Sequence, residues 1–311
     1  MNILVTGGMG FVGSHLVEQL IKEKHKITIV TKSLKKIHNV SGIVKKIKVH
    51  KCNVTNFSKF GKIIDKCKPN LIIHLAGITS HSESFDKPLA DIDSNAKSTL
   101  FILEKIRKDF PKCKLLLGST FIVIGKPTKL PIDENSDCNP TTIYGTNRLA
   151  SENYCKIFHQ VYGIDTRIFR ITNSYGPREQ IIPKKNAVNF LINESQKRKE
   201  VTIFNEGKFF RDLIYISDVI SGINKIIKKG KPGELYWIAS GKKTWFYQLA
   251  NMLKMETDCN IKYVKTPSYT KKVDVGNFYV NNLKVEQKLH LCHQKLHLVK
   301  QILNLINWKQ D

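Results

Sequence analysis

Val5-Thr6-Gly7-Gly8-Met9-Gly10-Phe11-Val12-Gly13 decides how this chain folds. Met1 to Val5, just before it, is an apolar run of strand length. Ser14 to Ile21, just after it, spaces its apolar residues as a helix does. A glycine-spaced turn between a strand and a helix is suited to holding a pyrophosphate. Gly7 permits the tight turn and Gly10 lets the backbone approach the phosphates. Gly13 lets helix and strand pack closely, and the helix N-terminus presents free N–H groups to the anion. Phe11 and Val12, in the same turn, are candidate cofactor contacts. The stretch predicts a dinucleotide site.

The second strand, Lys26 to Val30, runs into Thr31-Lys32-Ser33-Leu34-Lys35-Lys36. An NAD site places Asp or Glu here to hold the adenine-ribose hydroxyls. A carboxylate repels a 2′-phosphate, whereas hydroxyls and an ammonium attract one. Thr31 and Lys32 therefore favour NADP over NAD. The competing reading is a solvated turn in a lysine-rich protein.

The 311 residues suit one large domain or two closely joined ones, and 41% hydrophobic content is enough for a sizeable core. No apolar run reaches the length of a membrane span, and the N-terminus enters a strand directly, so neither a membrane anchor nor a signal peptide is expected. The seven cysteines are scattered and form no C-x-x-C pair. Neither a metal site nor a disulfide framework is indicated, and a reducing cytoplasm is the expected home. The formal charge of +25 comes from lysines spread along the chain rather than from one basic arm. Nucleic acid is not an expected partner; a positive field favours doubly anionic substrates such as nucleotide diphosphates.

The first half alternates expected strands (Ile47–His50, Leu71–Ala76, Lys114–Thr120, Thr166–Ile171) with expected helices (Phe57–Cys67, Asp93–Lys108, Tyr144–Tyr162). That rhythm predicts an α/β fold, a Rossmann-type doubly wound parallel sheet. After Asn173 the rhythm changes. A helix near Ala187–Gln196, a strand at Val201–Phe204, strands at Leu213–Ile216 and Leu235–Ile238 around a helix at Ser217–Lys228, and an amphipathic tail at Asn282–Trp308 are expected. The chain divides into a dinucleotide-binding domain, 1–172 plus about 212–240, and a smaller C-terminal α/β substrate lobe, about 173–211 plus 241–311. Ligand is expected beyond the carboxyl ends of the strands.

Thr120 stands just past the fifth strand, at that end. Tyr144 opens the next helix with Arg148 four residues on, so phenol and guanidinium share one helical face. A cation beside a tyrosine favours the phenolate. Such a group can take a proton from a substrate hydroxyl as hydride leaves its carbon, or return one. Thr120 can orient the same oxygen.

With these residues in this order, the chain resembles an extended short-chain dehydrogenase/reductase of the NAD(P)-dependent nucleotide-sugar epimerase/dehydratase family, nearly end to end. Thr6 to Gly13 matches the family's glycine loop, and Asn53-Val54 stands where an Asp and an apolar residue lie near the adenine. His74-Leu75-Ala76-Gly77 resembles the strand-four segment, and Asn95 matches an asparagine of the next helix. Ser119-Thr120 resembles the catalytic Ser/Thr pair, and Tyr144 takes the place of the catalytic tyrosine. Arg170 to Arg178 resembles the stretch closing on nicotinamide and substrate. Arg211 to Val219 resembles the segment whose arginine grips the substrate pyrophosphate. The resemblance implies cofactor contacts from Leu75, Ala76, Gly77, Asn95, Ile171, Tyr144 and Arg148, and substrate contacts from Thr79, Thr120, Asn173, Arg178 and Arg211. It implies a homodimer paired through the helices Asp93–Lys108 and Tyr144–Tyr162.

Several positions depart from the family pattern. Arg148 replaces the catalytic lysine, and the two are not interchangeable in reach or shape. Phe121-Ile122 replaces the Asp-Glu that 4,6-dehydratases use to protonate a leaving hydroxyl, which argues against dehydration. Ile124 replaces a tyrosine, and the adenine-site acid is absent. The implied activity is a nucleotide-sugar 4-epimerase working through a 4-keto intermediate. The alternatives are an NADPH-dependent 4-ketoreductase and a cofactor-binding regulator with weak catalysis.

Overall fold

The computed structural model describes residues 1–181, 187–198, 200–282 and 298–306. The first half lays down β1 (Asn2–Thr6), α1 (Phe11–Lys22), β2 (Lys26–Thr31), β3 (Ile47–Lys51), α2 (Phe57–Cys67), β4 (Leu71–His74), α3 (His81–Asp86), α4 (Pro88–Ile92), α5 (Ser98–Asp109), β5 (Lys114–Thr120), α6 (Ile143–Tyr162) and β6 (Thr166–Ile171). There follow β7 (Asn173–Tyr175), α7 (Ala187–Arg198), β8 (Glu200–Phe204), β9 (Phe210–Arg211), β10 (Leu213–Tyr215), α8 (Ile216–Lys229), β11 (Leu235–Ile238), β12 (Thr244–Trp245), α9 (Phe246–Thr257), β13 (Asn260–Val264), α10 (Ser268–Val273) and a last helix, Leu298–Ile306.

The main sheet has seven strands in the order β11-β6-β5-β4-β1-β2-β3, every pair parallel. Parallel strands covered on both faces read as continuous apolar runs, as Ile3-Leu4-Val5 and Leu71-Ile72-Ile73 do. Successive side chains of β1 feed opposite cores: Leu4 packs with Phe60, Ile102 and Ile106, and Ile3 and Val5 with Leu16, Leu20 and Ile223. The strand order reverses between β4 and β1, so a crevice opens beyond their carboxyl ends.

Helix limits follow from capping. The Asn56 side chain accepts from Lys59 N (3.0 Å) to start α2, and Lys68 ends it at φ 44°. Thr142 Oγ1 accepts from Gly145 N (3.0 Å) to start α6, and Gly163 ends it at φ 67°.

Two expected spans are shorter by more than one residue. β4 stops at His74: Leu75 N divides between the Thr6 carbonyl (3.3 Å) and the Thr6 hydroxyl (3.2 Å), and Ala76 N turns to that hydroxyl (3.1 Å). The helix expected over Asp93–Lys108 is a π-turn over Asp93–Lys97 before α5. Ser98 and Thr99 donate back to the carbonyls of Ser94 and Asn95, and Ser151 donates to the Asn95 carbonyl as well. That competition loosens the α ladder.

In the second half β8 pairs in parallel with β13, and α7, α9 and Leu298–Ile306 pack around Val201, Ile203, Leu249 and Ile302. Of the expected tail Asn282–Trp308, residues 298–306 are helical; 283–297 and 307–308 lie outside the described residues. No helix among the described residues is long and apolar enough to cross a membrane.

Candidate active site

The glycine turn closes as its spacing requires. Gly7 sits at φ 69°, and a Cβ there would lie 3.0 Å from Ala76 N. A Cβ on Gly13 would lie 2.3 Å from the Gly7 carbonyl oxygen. Gly10 N donates to that same oxygen (2.9 Å), and Ser14 N to the Gly10 carbonyl (2.9 Å). No acidic side chain occupies the first turn of α1, so its N-terminal dipole is open to an anion. Phe11 and Val12, half-buried, form that turn.

At the carboxyl end of β2, Thr31 Oγ1 donates to the Ser33 carbonyl (2.9 Å) and Lys32 is exposed. Lys36 stands near enough that burial, and then the charge of Lys32, hold its ammonium below the usual lysine range. No acid pairs with either lysine among the described residues. Across the crevice Val54 is buried, while Asn53 is exposed and accepts from Thr55 N (3.3 Å).

The other end of the crevice collects the groups expected to do chemistry. Thr120 is the last residue of β5, and its hydroxyl accepts from Ile122 N (3.3 Å). Tyr144 and Arg148 are both buried on α6, with the guanidinium carbon 5.8 Å from the centroid of the phenol ring. Nε and Nη1 of Arg148, and Oδ1 of Asn95, are buried without a hydrogen-bond partner among the described residues. A Cβ on Gly77 would stand 2.9 Å from Arg148 Nη2 and 2.2 Å from Asn95 Oδ1, so the missing side chain leaves both groups their room. A buried cation and buried polar atoms left unpaired are costly, and a polar ligand relieves that cost. A glycine cradle with no space for a side chain, and orphaned donors at the far end, fit a bound dinucleotide. Leu75, Ala76 and Ile171 line the wall between them, half-buried.

The outer residues are less free than the sequence implies. Arg211 holds both oxygens of Asp274 at 2.8 Å and lies over Phe209. Arg178, at φ 67°, reaches back to Glu18 of α1 (2.7 Å). Asn173 keeps a buried, unpartnered Oδ1, and Thr79 is exposed. Phe121, in place of a dehydratase acid, stacks on Phe278 at 4.6 Å.

Two buried polar arrangements escape a motif reading. Asn147 Nδ2 donates to Asp91 Oδ1 (2.7 Å). Below Thr120, Arg170 makes two bonds to Glu152, at 3.0 and 2.7 Å, and Ser119 Oγ donates to the same carboxylate at 2.5 Å. The periodicity Tyr144, Arg148, Glu152 was the available signal, since positions four apart stack on one face.

Known proteins resemble this chain in sequence and fold. The NAD dependent epimerase/dehydratase family matches residues 3–239. A putative UDP-glucose 4-epimerase of Methanocaldococcus jannaschii is 31% identical over 255 residues, 82% of each chain. A dTDP-D-glucose 4,6-dehydratase of Dictyostelium discoideum is 31% identical over 258 residues, 76% of this chain and 58% of that one. The crystal structure of the Thermotoga maritima UDP-glucose 4-epimerase with UDP-glucose superposes with a TM-score of 0.89 at 28% identity, covering 98% of this chain and 97% of that one. With a family match that runs from β1 through β11 and a crevice built as its glycine loop requires, the chain belongs to the NAD-dependent epimerase/dehydratase family.

Proposed function

We propose that this protein is a nucleotide-sugar 4-epimerase. The observation that carries the reading is the meeting of Tyr144, Arg148, Asn95 and Gly77 at the carboxyl end of the sheet, with Thr120 on the neighbouring strand. Gly7, Gly10 and Gly13 would hold the cofactor's pyrophosphate, Thr31, Lys32, Asn53 and Val54 its adenosine end, and Asn95 and Arg148 its nicotinamide ribose. The nicotinamide, when bound, would supply reversible hydride transfer at C4 of the sugar. Tyr144 Oη takes the C4 hydroxyl proton and later gives it back, while Thr120 Oγ1 orients that oxygen. Arg148 is the fixed cation over the phenol ring. Arg211 is a candidate for the substrate diphosphate, which would take the place of Asp274. Arg178, Asn173 and Thr79 are the other candidate substrate contacts. The division into a cofactor domain (1–172 plus about 212–240) and a substrate lobe is part of this proposal. Screening UDP-, GDP-, dTDP- and CDP-sugars for C4 inversion tests it; no inversion with any of them would refute it.

The Lys32 and Lys36 pair favours a second reading, an NADPH-dependent 4-ketoreductase. Two unneutralised ammonium groups at the end of β2 suit a 2′-phosphate. NADPH is then expected to bind more tightly than NADH, and Lys32→Ala to lower NADPH affinity roughly tenfold with NADH affinity unchanged. Calorimetry with both cofactors checks this; equal losses for the two would remove the 2′-phosphate contact.

A homodimer completes the proposal. Ile157 and Val161, one turn apart on α6, are 49% and 64% exposed, and a second copy pairing through α5 and α6 would cover them. Light scattering is expected to give twice the 35.6 kDa chain mass.

A further inference from the structure

We infer that His74 is a positioning residue: a neutral imidazole, carrying its proton on Nε2, that braces the glycine loop against the turn bearing Asn95. This rests on the reading that Gly7–Gly13, Leu75–Gly77 and Asn95 hold the cofactor.

His74 is the last residue of β4 and has no exposed surface. Both ring nitrogens are engaged, Nδ1 with Thr6 Oγ1 at 2.7 Å and Nε2 with Ser98 Oγ at 3.0 Å. The direction of each bond follows from proton counting. Ser98 Oγ gives its single proton to the Ser94 carbonyl at 2.7 Å. Toward His74 it can only accept, so Nε2 carries the ring proton. Nδ1 is then a lone pair, and the Thr6 hydroxyl donates to it. The Thr6 oxygen is left to accept from Leu75 N (3.2 Å) and Ala76 N (3.1 Å). Six groups thus share one proton arrangement. Burial, with the charge of Arg148 beside it, holds the imidazole neutral by lowering its pKa to about 3.

What this chain of bonds fixes is the width of the crevice. Thr6 immediately precedes Gly7, whose missing Cβ would lie 3.0 Å from Ala76 N. The amide that Thr6 anchors is therefore the amide that Gly7 packs on. At the other end, Ser98 holds the carbonyl of Ser94, one residue before Asn95, and Ser94 Oγ accepts from Ile78 N (3.4 Å). A single ring ties β1, the exit of β4 and the π-turn together.

Three measurements test this. In labelled protein at neutral pH, nitrogen NMR is expected to show His74 Nδ1 unprotonated and Nε2 protonated; a proton on Nδ1 would overturn the arrangement. His74→Phe keeps the ring and loses both bonds. It is expected to weaken whichever cofactor the wild-type chain binds, measured by calorimetry, by about ten- to a hundredfold. His74→Gln, which can both donate and accept, is expected to recover most of that loss. Wild-type affinity in a folded His74→Phe protein, or no recovery with Gln, would overturn the positioning role. If His74→Phe does not fold, Thr6→Val and Thr6→Ser ask the same question, with loss expected only for Val. Equal affinities would again overturn it. A wild-type chain that binds neither NADH nor NADPH refutes the cofactor reading instead, and the tautomer measurement still decides the proton arrangement.

Discussion

Tyr144→Phe is expected to lower kcat by roughly a hundred- to ten-thousandfold, the range that a positioned proton-transfer group contributes. Cofactor affinity is expected to stay within a few-fold of wild type. The separation follows from where the atoms lie. Phe keeps the ring, which is buried under the Arg148 guanidinium, so the packing of α6 and the cation–π contact survive. Only the oxygen is lost, and with it the group proposed to hold the C4 hydroxyl proton. The glycine cradle, Val54 and the Leu75–Gly77 wall are untouched. Steady-state kinetics on an accepted nucleotide sugar, with calorimetry of NADH and NADPH, checks both halves. Unchanged turnover would refute the assignment of Tyr144, and lost cofactor binding would mean that the hydroxyl has a binding role instead.

Glu152→Ala is expected to cost roughly 3–5 kcal/mol of stability, because it strands a buried guanidinium. Arg170 is 2% exposed and Glu152 has no exposed surface. Two hydrogen bonds join them, and Ser119 Oγ adds a third to the carboxylate. Burial works against the charge on Arg170 and Glu152 restores it, leaving the guanidinium more firmly protonated than usual. Removing the carboxylate leaves the burial and takes away the compensation. The double variant Glu152→Leu with Arg170→Met fills similar volume without charge and is expected to be far less damaging than the single one. Urea unfolding of the three proteins tests this. A double variant no more stable than Glu152→Ala would show that packing, and not the stranded charge, sets the loss.

The centre of the sheet was legible because β1, β4 and β5 are buried on both faces and carry continuous apolar runs. α2, β5 and β6 fall on the spans that their patterns predict. The glycine turn was legible because only glycine fits at Gly7 and Gly13. The π-turn was not, because hydroxyl competition for the carbonyls of Ser94 and Asn95 leaves the apolar periodicity intact. β9 and β12, two residues each, are too short for any periodicity to form. α9 and β13 carry ordinary patterns, but their neighbours in the second half lack the strand-helix alternation that makes such patterns readable. The commitments of Arg178 to Glu18 and of Arg211 to Asp274 span 160 and 63 residues, so sequence spacing cannot announce them. At the candidate site, residue types suggested the proposed chemistry, whereas the neutral imidazole of His74 emerges only once Thr6 and Ser98 are seen on either side of it.

The seven-strand order also sets a schedule for synthesis. β1 enters first and ends in the middle of the sheet, while the edge strand β11 is not made until residues 235–238. Parallel pairing depends on distant partners, and such folds assemble slowly. Until β11 arrives, β6 is an open strand edge whose unpaired backbone groups can recruit other chains. β11 also brings Trp237, whose ring lies 5.3 Å from the Arg170 guanidinium carbon and covers the buried ion pair. A nascent chain released before that point lacks both the partner of β6 and the ring that covers Arg170, so the last quarter of translation protects what the first half has built.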